Sequence, residues 1–148
     1  MNEQVNTIDE NIATYGCHVI HVFEEGELTR FTYSIGIQQC TGQPELIVTG
    51  LKRELAHWIV NEYNHRIQAG EVFEVGEKYG GFVGDFDCFF MPVEKRHYDE
   101  YFGQAQTYYQ GNNFAVLQLI FPSTSGVWHW EPNASDEFKW FIPVLYAE

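Results

Sequence analysis

The stretch from Leu51 to Ala69 constrains the fold more than any other. Leu51, Leu55, Trp58, Ile59, Tyr63 and Ile67 recur at three- and four-residue spacings, which draws one apolar stripe along a helix. Glu54, Asn61, Asn64, His65 and Gln68 occupy the rest of its surface. Thr49 or Gly50 is placed to start this helix and Gly70 to stop it. A helix with one apolar stripe must bury it against another layer.

The runs that could supply that layer are short and rich in β-branched and aromatic residues. Cys17 to Phe23 reads as a strand, Glu24 to Glu27 as a turn and Leu28 to Ile37 as a second strand, together an antiparallel hairpin. Pro44 to Thr49 is a third strand, apolar on both faces. Phe82 to Pro92 and the near-continuous apolar run Phe114 to Phe121 add two more, the latter central in the sheet. Short strands are expected at Glu71 to Val75 and at Phe141 to Val144. Gln38 to Gln43 and Gly76 to Gly81 read as loops. Thr7 and Glu10 fit a capping box, so a short helix should run from Ile8 to about Tyr15. Tyr98 to Tyr109 repeats aromatics at helical spacing. Met1 to Asn6 is expected to be a flexible tail. The expected architecture is α+β, a mainly antiparallel β-sheet packed by two main helices. At 148 residues with 45% hydrophobic side chains, residues 1–148 are assigned to a single domain.

Charge narrows the partners. The chain carries 21 acidic and 8 basic residues, a formal net charge of −13. Nucleic-acid binding depends on Lys and Arg neutralising phosphates, so no nucleic-acid partner is expected. An acidic excess suits a basic protein partner through electrostatic steering, and it also serves solubility. Cys17, Cys40 and Cys88 show neither zinc nor redox spacing. The start of the chain lacks a secretory apolar segment, and no apolar run reaches the roughly 20 residues a membrane span needs. The expectation is a cytoplasmic chain with reduced thiols, no membrane partner and no cofactor.

Two blocks carry a family resemblance. Phe31-Thr32-Tyr33-Ser34-Ile35-Gly36-Ile37 is followed by Pro44-Glu45-Leu46-Ile47-Val48-Thr49-Gly50-Leu51. Later come Leu117-Gln118-Leu119-Ile120-Phe121-Pro122, Gly126 and Trp130. The pattern resembles the bacterial domain-of-unknown-function family 4262 (DUF4262), from about Ile12 to Leu145. Members of that family commonly carry Asp where this chain has Ser123, and Pro where it has His129. The family name implies no activity. Some members resemble proteins found beside bacterial toxin genes, and that resemblance implies an immunity role.

The titratable residues form no coherent catalytic set. His18 and His21 are three apart on a strand and point to opposite faces. His57 and His65 lie two turns apart on one helix, so no metal site is expected. Cys17 and His18 face away from each other, Ser34 has no nucleophile elbow, and Cys88 lies in an apolar strand that would raise its pKa. Glu45, beside a buried strand, must find backbone N–H groups or an Arg such as Arg30. Asp85 and Asp87 are expected on one face of a strand, as a solvated edge or a paired-carboxylate site. Trp128 and Trp130 serve either as lids over the sheet or as a hot-spot anchor rimmed by acids.

Two functional classes follow. The first is a non-enzymatic acidic binding protein, most concretely an immunity or inhibitor protein that neutralises a basic bacterial toxin by occluding its active site. Its contact residues would be Glu24, Glu25, Asp85, Asp87, Trp128, Trp130, Glu131, Asp136 and Glu137, with no catalytic residue. The second is a small hydrolase or ligand-binding domain using His and carboxylate groups in a cleft, where at least two of His18, His21, His57, His65 and Glu45 would converge.

Overall fold

A computed structural model describes residues 3–147. The strands are β1 (His18–Val22), β2 (Phe31–Ile35), β3 (Glu45–Thr49), β4 (Tyr79–Val83), β5 (Phe86–Pro92) and β6 (Val116–Ile120). They form one six-stranded sheet in the order β1-β2-β3-β6-β5-β4. Every pair is antiparallel except the central β3–β6 pair, which is parallel. The helices are α1 (Glu3–Tyr15), α2 (Ile37–Thr41), α3 (Arg53–Gln68), α4 (Tyr98–Tyr101), α5 (Gly103–Tyr109) and α6 (Asp136–Phe141). The fold is α+β, with an open and mostly antiparallel sheet.

The sheet has an apolar core on each face. One joins α3 to the sheet through Ala56, Ile59, Val60, Tyr63 and Ile67 against Leu46, Val48, Phe90, Leu117 and Leu119. The other packs Ile8, Ile12, Tyr98, Tyr101, Phe102 and Ala105 against Ile20, Phe31, Tyr33, Ile35, Ile47 and Val116. Alternation divides β3 between the two cores, with Leu46 and Val48 in one and Ile47 in the other. β3 and β6 are buried throughout, as their unbroken apolar runs imply.

Several sequence expectations are corrected. The buried side of α3 runs through Ala56 and Val60, which leaves Leu55 40% and Trp58 50% exposed. The helix begins at Arg53, after Lys52 rather than Thr49 or Gly50. α1 begins at Glu3, so residues 3–6 belong to a helix and Thr7 lies within it, not at a cap. Met1 and Asn2 fall outside the described residues. The helix read from Tyr98 to Tyr109 breaks at Phe102, a fully buried ring set edge-on to Tyr33 and Tyr98. Phe82 to Pro92 is a hairpin that turns at Gly84 and Asp85, and its first strand takes in part of the expected glycine loop.

No strand forms at Glu71 to Val75. Phe73 instead packs into a cluster with Tyr63, Tyr79, Phe82 and Phe90. No strand forms at Phe141 to Val144 either. There the Gln118 side chain donates to the Pro143 carbonyl and accepts from the Leu145 N–H, satisfying backbone groups that a ladder would otherwise hold.

Candidate functional site

The strand directions gather particular loops at one end of the sheet. β3 and β6 run parallel, so both finish there, and the antiparallel neighbours fix the rest. The β1–β2 turn, the β4–β5 turn and the segments after β3 and β6 therefore meet at this end. A cleft of about 550 Å³ lies here, with Leu51, Leu55, Val83, Phe86, Phe121 and Phe138 among its walls. Ser123, Thr124, Ser125, Asn133 and Ser135 supply its polar groups, and Glu137 is its single charged lining residue. Helix α6 closes one side. Ser135 caps it by accepting from the Phe138 N–H at 3.1 Å. Its far end is tied to the β1–β2 turn, where the Trp140 indole donates to the Glu27 carbonyl at 2.8 Å.

Five of the seven acidic residues singled out in the sequence lie at this end. Glu24 pairs with Arg30 at 3.3 Å. Glu25 forms the bridge with Leu28 that tightens the turn. Asp85 is exposed in the β4–β5 turn, not on a strand. Asp136 and Glu137 fill the first turn of α6. Arg30, Lys52, Arg53 and Lys139 share this end. Arg30 is occupied, donating to the Gly50 and Leu51 carbonyls at 2.8 and 3.0 Å. The local field thus follows the net charge of the whole molecule rather than a dense acidic patch.

Asp87, Trp128 and Trp130 belong to a second group on β5. The two indoles stack with centroids 5.1 Å apart and planes 12° apart, and both pack against Phe89. Trp128 is half-buried and works as a lid, whereas Trp130 is 56% exposed. Asp87 lies two residues before Phe89 on the same strand and is exposed. Glu131 does not stand beside the indoles as a free carboxylate, because it accepts the Trp128 N–H at 2.7 Å. Lys78 sits 5.9 Å from the Trp128 ring centroid.

The histidines scatter with one exception. His18 turns to α1 and bonds Asn11, while His21 turns to α3. His21 Nε2 and His57 Nδ1 share a hydrogen bond at 3.0 Å, and Thr32 holds the other His21 nitrogen at 2.9 Å. Burial pushes His21 down to about 4, with Arg53 and His57 acting in the same direction. Sequence spacing could not pair these residues, since they meet across two elements. His65 lines a separate hollow with Tyr15 and Trp58. Among the described residues, no group of three or more His, Cys, Asp or Glu side chains is arranged to hold a metal ion. Cys88 is buried, and its thiol is pushed up to about 12.

Glu45 lies at the opposite end of β3 and explains the first sequence block. Its carboxylate accepts from the Ser34 hydroxyl at 2.7 Å and from the N–H groups of Gly36, Ile37 and Gln38 at 3.0 to 3.1 Å. The Tyr109 hydroxyl donates a fifth bond. Burial raises the carboxyl pKa, while the bonds from Tyr109, Ser34, Gln38 and Gly36 pull it down. The three N–H groups are those that α2 leaves unpaired at its start. That long-range cap turns the expected Gln38 to Gln43 loop into a helix. Gly36 makes the turn at φ 109°. Glu45 is therefore an anchor held by donors, with Arg30 at the other end of the sheet.

The chain matches the family described as a domain of unknown function (DUF4262) over residues 11–135. It belongs to that family. The matched span takes in the Glu45 anchor, all six strands and most of the cleft walls, but stops before α6. No curated protein and no solved structure matches this DUF4262 chain. Among its described residues, no helix is long and apolar enough to cross a membrane.

Proposed function

We propose that this chain is a non-enzymatic acidic binding protein of the bacterial cytoplasm, an immunity or inhibitor protein that occludes the active site of a basic toxin. The observation that carries the reading is the apolar-walled cleft lined by Glu137, at the end of the sheet that also carries Glu24, Glu25, Asp85 and Asp136. Apolar walls give a protruding partner side chain somewhere to be buried, and Glu137 is charged to meet a cation there. Trp130 offers a second, exposed aromatic contact. The net charge of −13 draws a basic protein in from a distance and disfavours nucleic acid.

The test is capture of the product of the adjacent gene by the full chain, repeated at low and high salt. A stoichiometric complex that weakens as salt rises supports the proposal. Absence of a complex at every ionic strength rejects it.

A second reading, a small hydrolase or ligand-binding domain, has the His21–His57 contact in its favour. Of the two, His21 lines a hollow of about 290 Å³ together with Glu24, Thr32 and Glu54. A screen of ester and amide substrates tests it. Turnover lost in His57→Ala would favour this reading over the first.

A further inference from the structure

β1 forms one edge of the sheet. Natural edge strands are usually blunted by Lys, Pro or a bulge. The β1 sequence His-Val-Ile-His-Val has neither Lys nor Pro, and its pairing with β2 runs without a register shift. Large apolar side chains stand exposed around it. Tyr15 before the strand is 64% exposed and Phe23 after it is 78% exposed, with Trp58 at 50% on the neighbouring α3. Isolated exposed aromatics need no explanation, but three of them around one unpaired edge mark an interface.

We propose that β1 pairs with β1 of a second copy of this chain, antiparallel about a two-fold axis at Ile20. The occupant is argued from self-complementarity. Val19 and His21 lie on the α3 side of the sheet, and alternation carries Phe23 to that side too. α3 runs antiparallel to β1, since His57 meets His21 while Asn64 and Gln68 donate to the Tyr15 carbonyl. Centring the pair on Ile20 sets Phe23 of the second copy opposite Cys17. Two residues before Cys17, Tyr15 lines a hollow of about 320 Å³ together with Trp58, Asn61, Glu62 and His65 of α3. Phe23 of each copy fills the hollow of the other, and the two-fold repeats the contact, as an isologous interface requires. The unpaired backbone groups of both edges are satisfied in the same step.

Charge gives this association a signature of its own. Two chains of −13 repel, so the dimer tightens as salt screens them, whereas capture of a basic partner weakens. Failure of one proposal therefore leaves the other standing. The test is sedimentation velocity of the full chain over a wide concentration range at low and high salt, with Phe23→Asp and Trp58→Asp as separate variants. Both side chains are exposed, so folding should survive, as circular dichroism would verify. The expected result is a wild-type dimer that strengthens with salt, with a dissociation constant raised about thirtyfold or more in each variant, the loss expected of a buried aromatic anchor. A monomer at every concentration and salt, or a dimer that neither variant weakens, overturns the proposal.

Discussion

The Glu45 carboxylate accepts five donated hydrogen bonds and is 1% exposed. Donors stripped of their acceptor inside a protein cost more than the bonds themselves contributed. Glu45→Ala orphans three backbone N–H groups together with the hydroxyls of Ser34 and Tyr109. It should lower stability by about 3–5 kcal/mol, read as a fall in urea midpoint. Tyr109→Phe removes one donor and should cost about 1–2 kcal/mol. His21 supplies a pH dependence. Its folded pKa is pushed from 6.5 to about 4, so the unfolded chain takes up the proton first as pH falls. Its contribution is complete above the ordinary value and is lost as pH falls through that window. His18 is shifted in the same direction by burial. Melting temperature should therefore fall between about pH 6.5 and 4, and His21→Gln should flatten the fall; an unchanged slope in that variant would refute the assignment.

At the scale of elements, α6 and the segment after β3 shape the cleft. Gly50 has φ 77°, and a Cβ there would come within 2.4 Å of the Phe141 side chain and 2.6 Å of its carbonyl oxygen. Gly50→Ala must push α6 aside and should destabilise by about 1–3 kcal/mol, with a fall in melting temperature and exposure of the Trp140 fluorophore. β1, β2, β3, β5, β6 and α3 were legible in the sequence because β-branched runs and a 3.6-residue period are local signals, whereas β4 lay largely within the glycine-rich run and the apolar runs at 71–75 and 141–144 form no strand. α2 was not legible, because its cap is remote, and α6 was missed although Ser135, Asp136 and Glu137 are a local start signal. Glu45 caps α2 from the next strand, and Gln118 holds residues 143 and 145 out of a ladder. The acidic residues could be read from the sequence, but the placement of five of them at one end of the sheet depended on the parallel β3–β6 pairing. The cleft was hidden for the same reason, since Leu55, Phe86, Phe121 and Phe138 come from four separate segments. The Trp pair was legible as lid or anchor, and the structure shows Trp128 half-buried on Phe89 and Trp130 exposed.

For the whole molecule, the net charge of −13 is the property that the proposed function uses most. Steering acts on encounter, so it appears in the association rate and in its dependence on ionic strength. The most direct measurement is stopped-flow association of the full chain with the adjacent gene's product across a salt series, for wild type and for Asp85→Asn/Asp136→Asn/Glu137→Gln together. The account predicts a rate constant that drops steeply as salt rises, and a lower rate with a shallower salt slope in the triple variant. Association at a rate indifferent to salt and to those three charges, or no association at all, would contradict it.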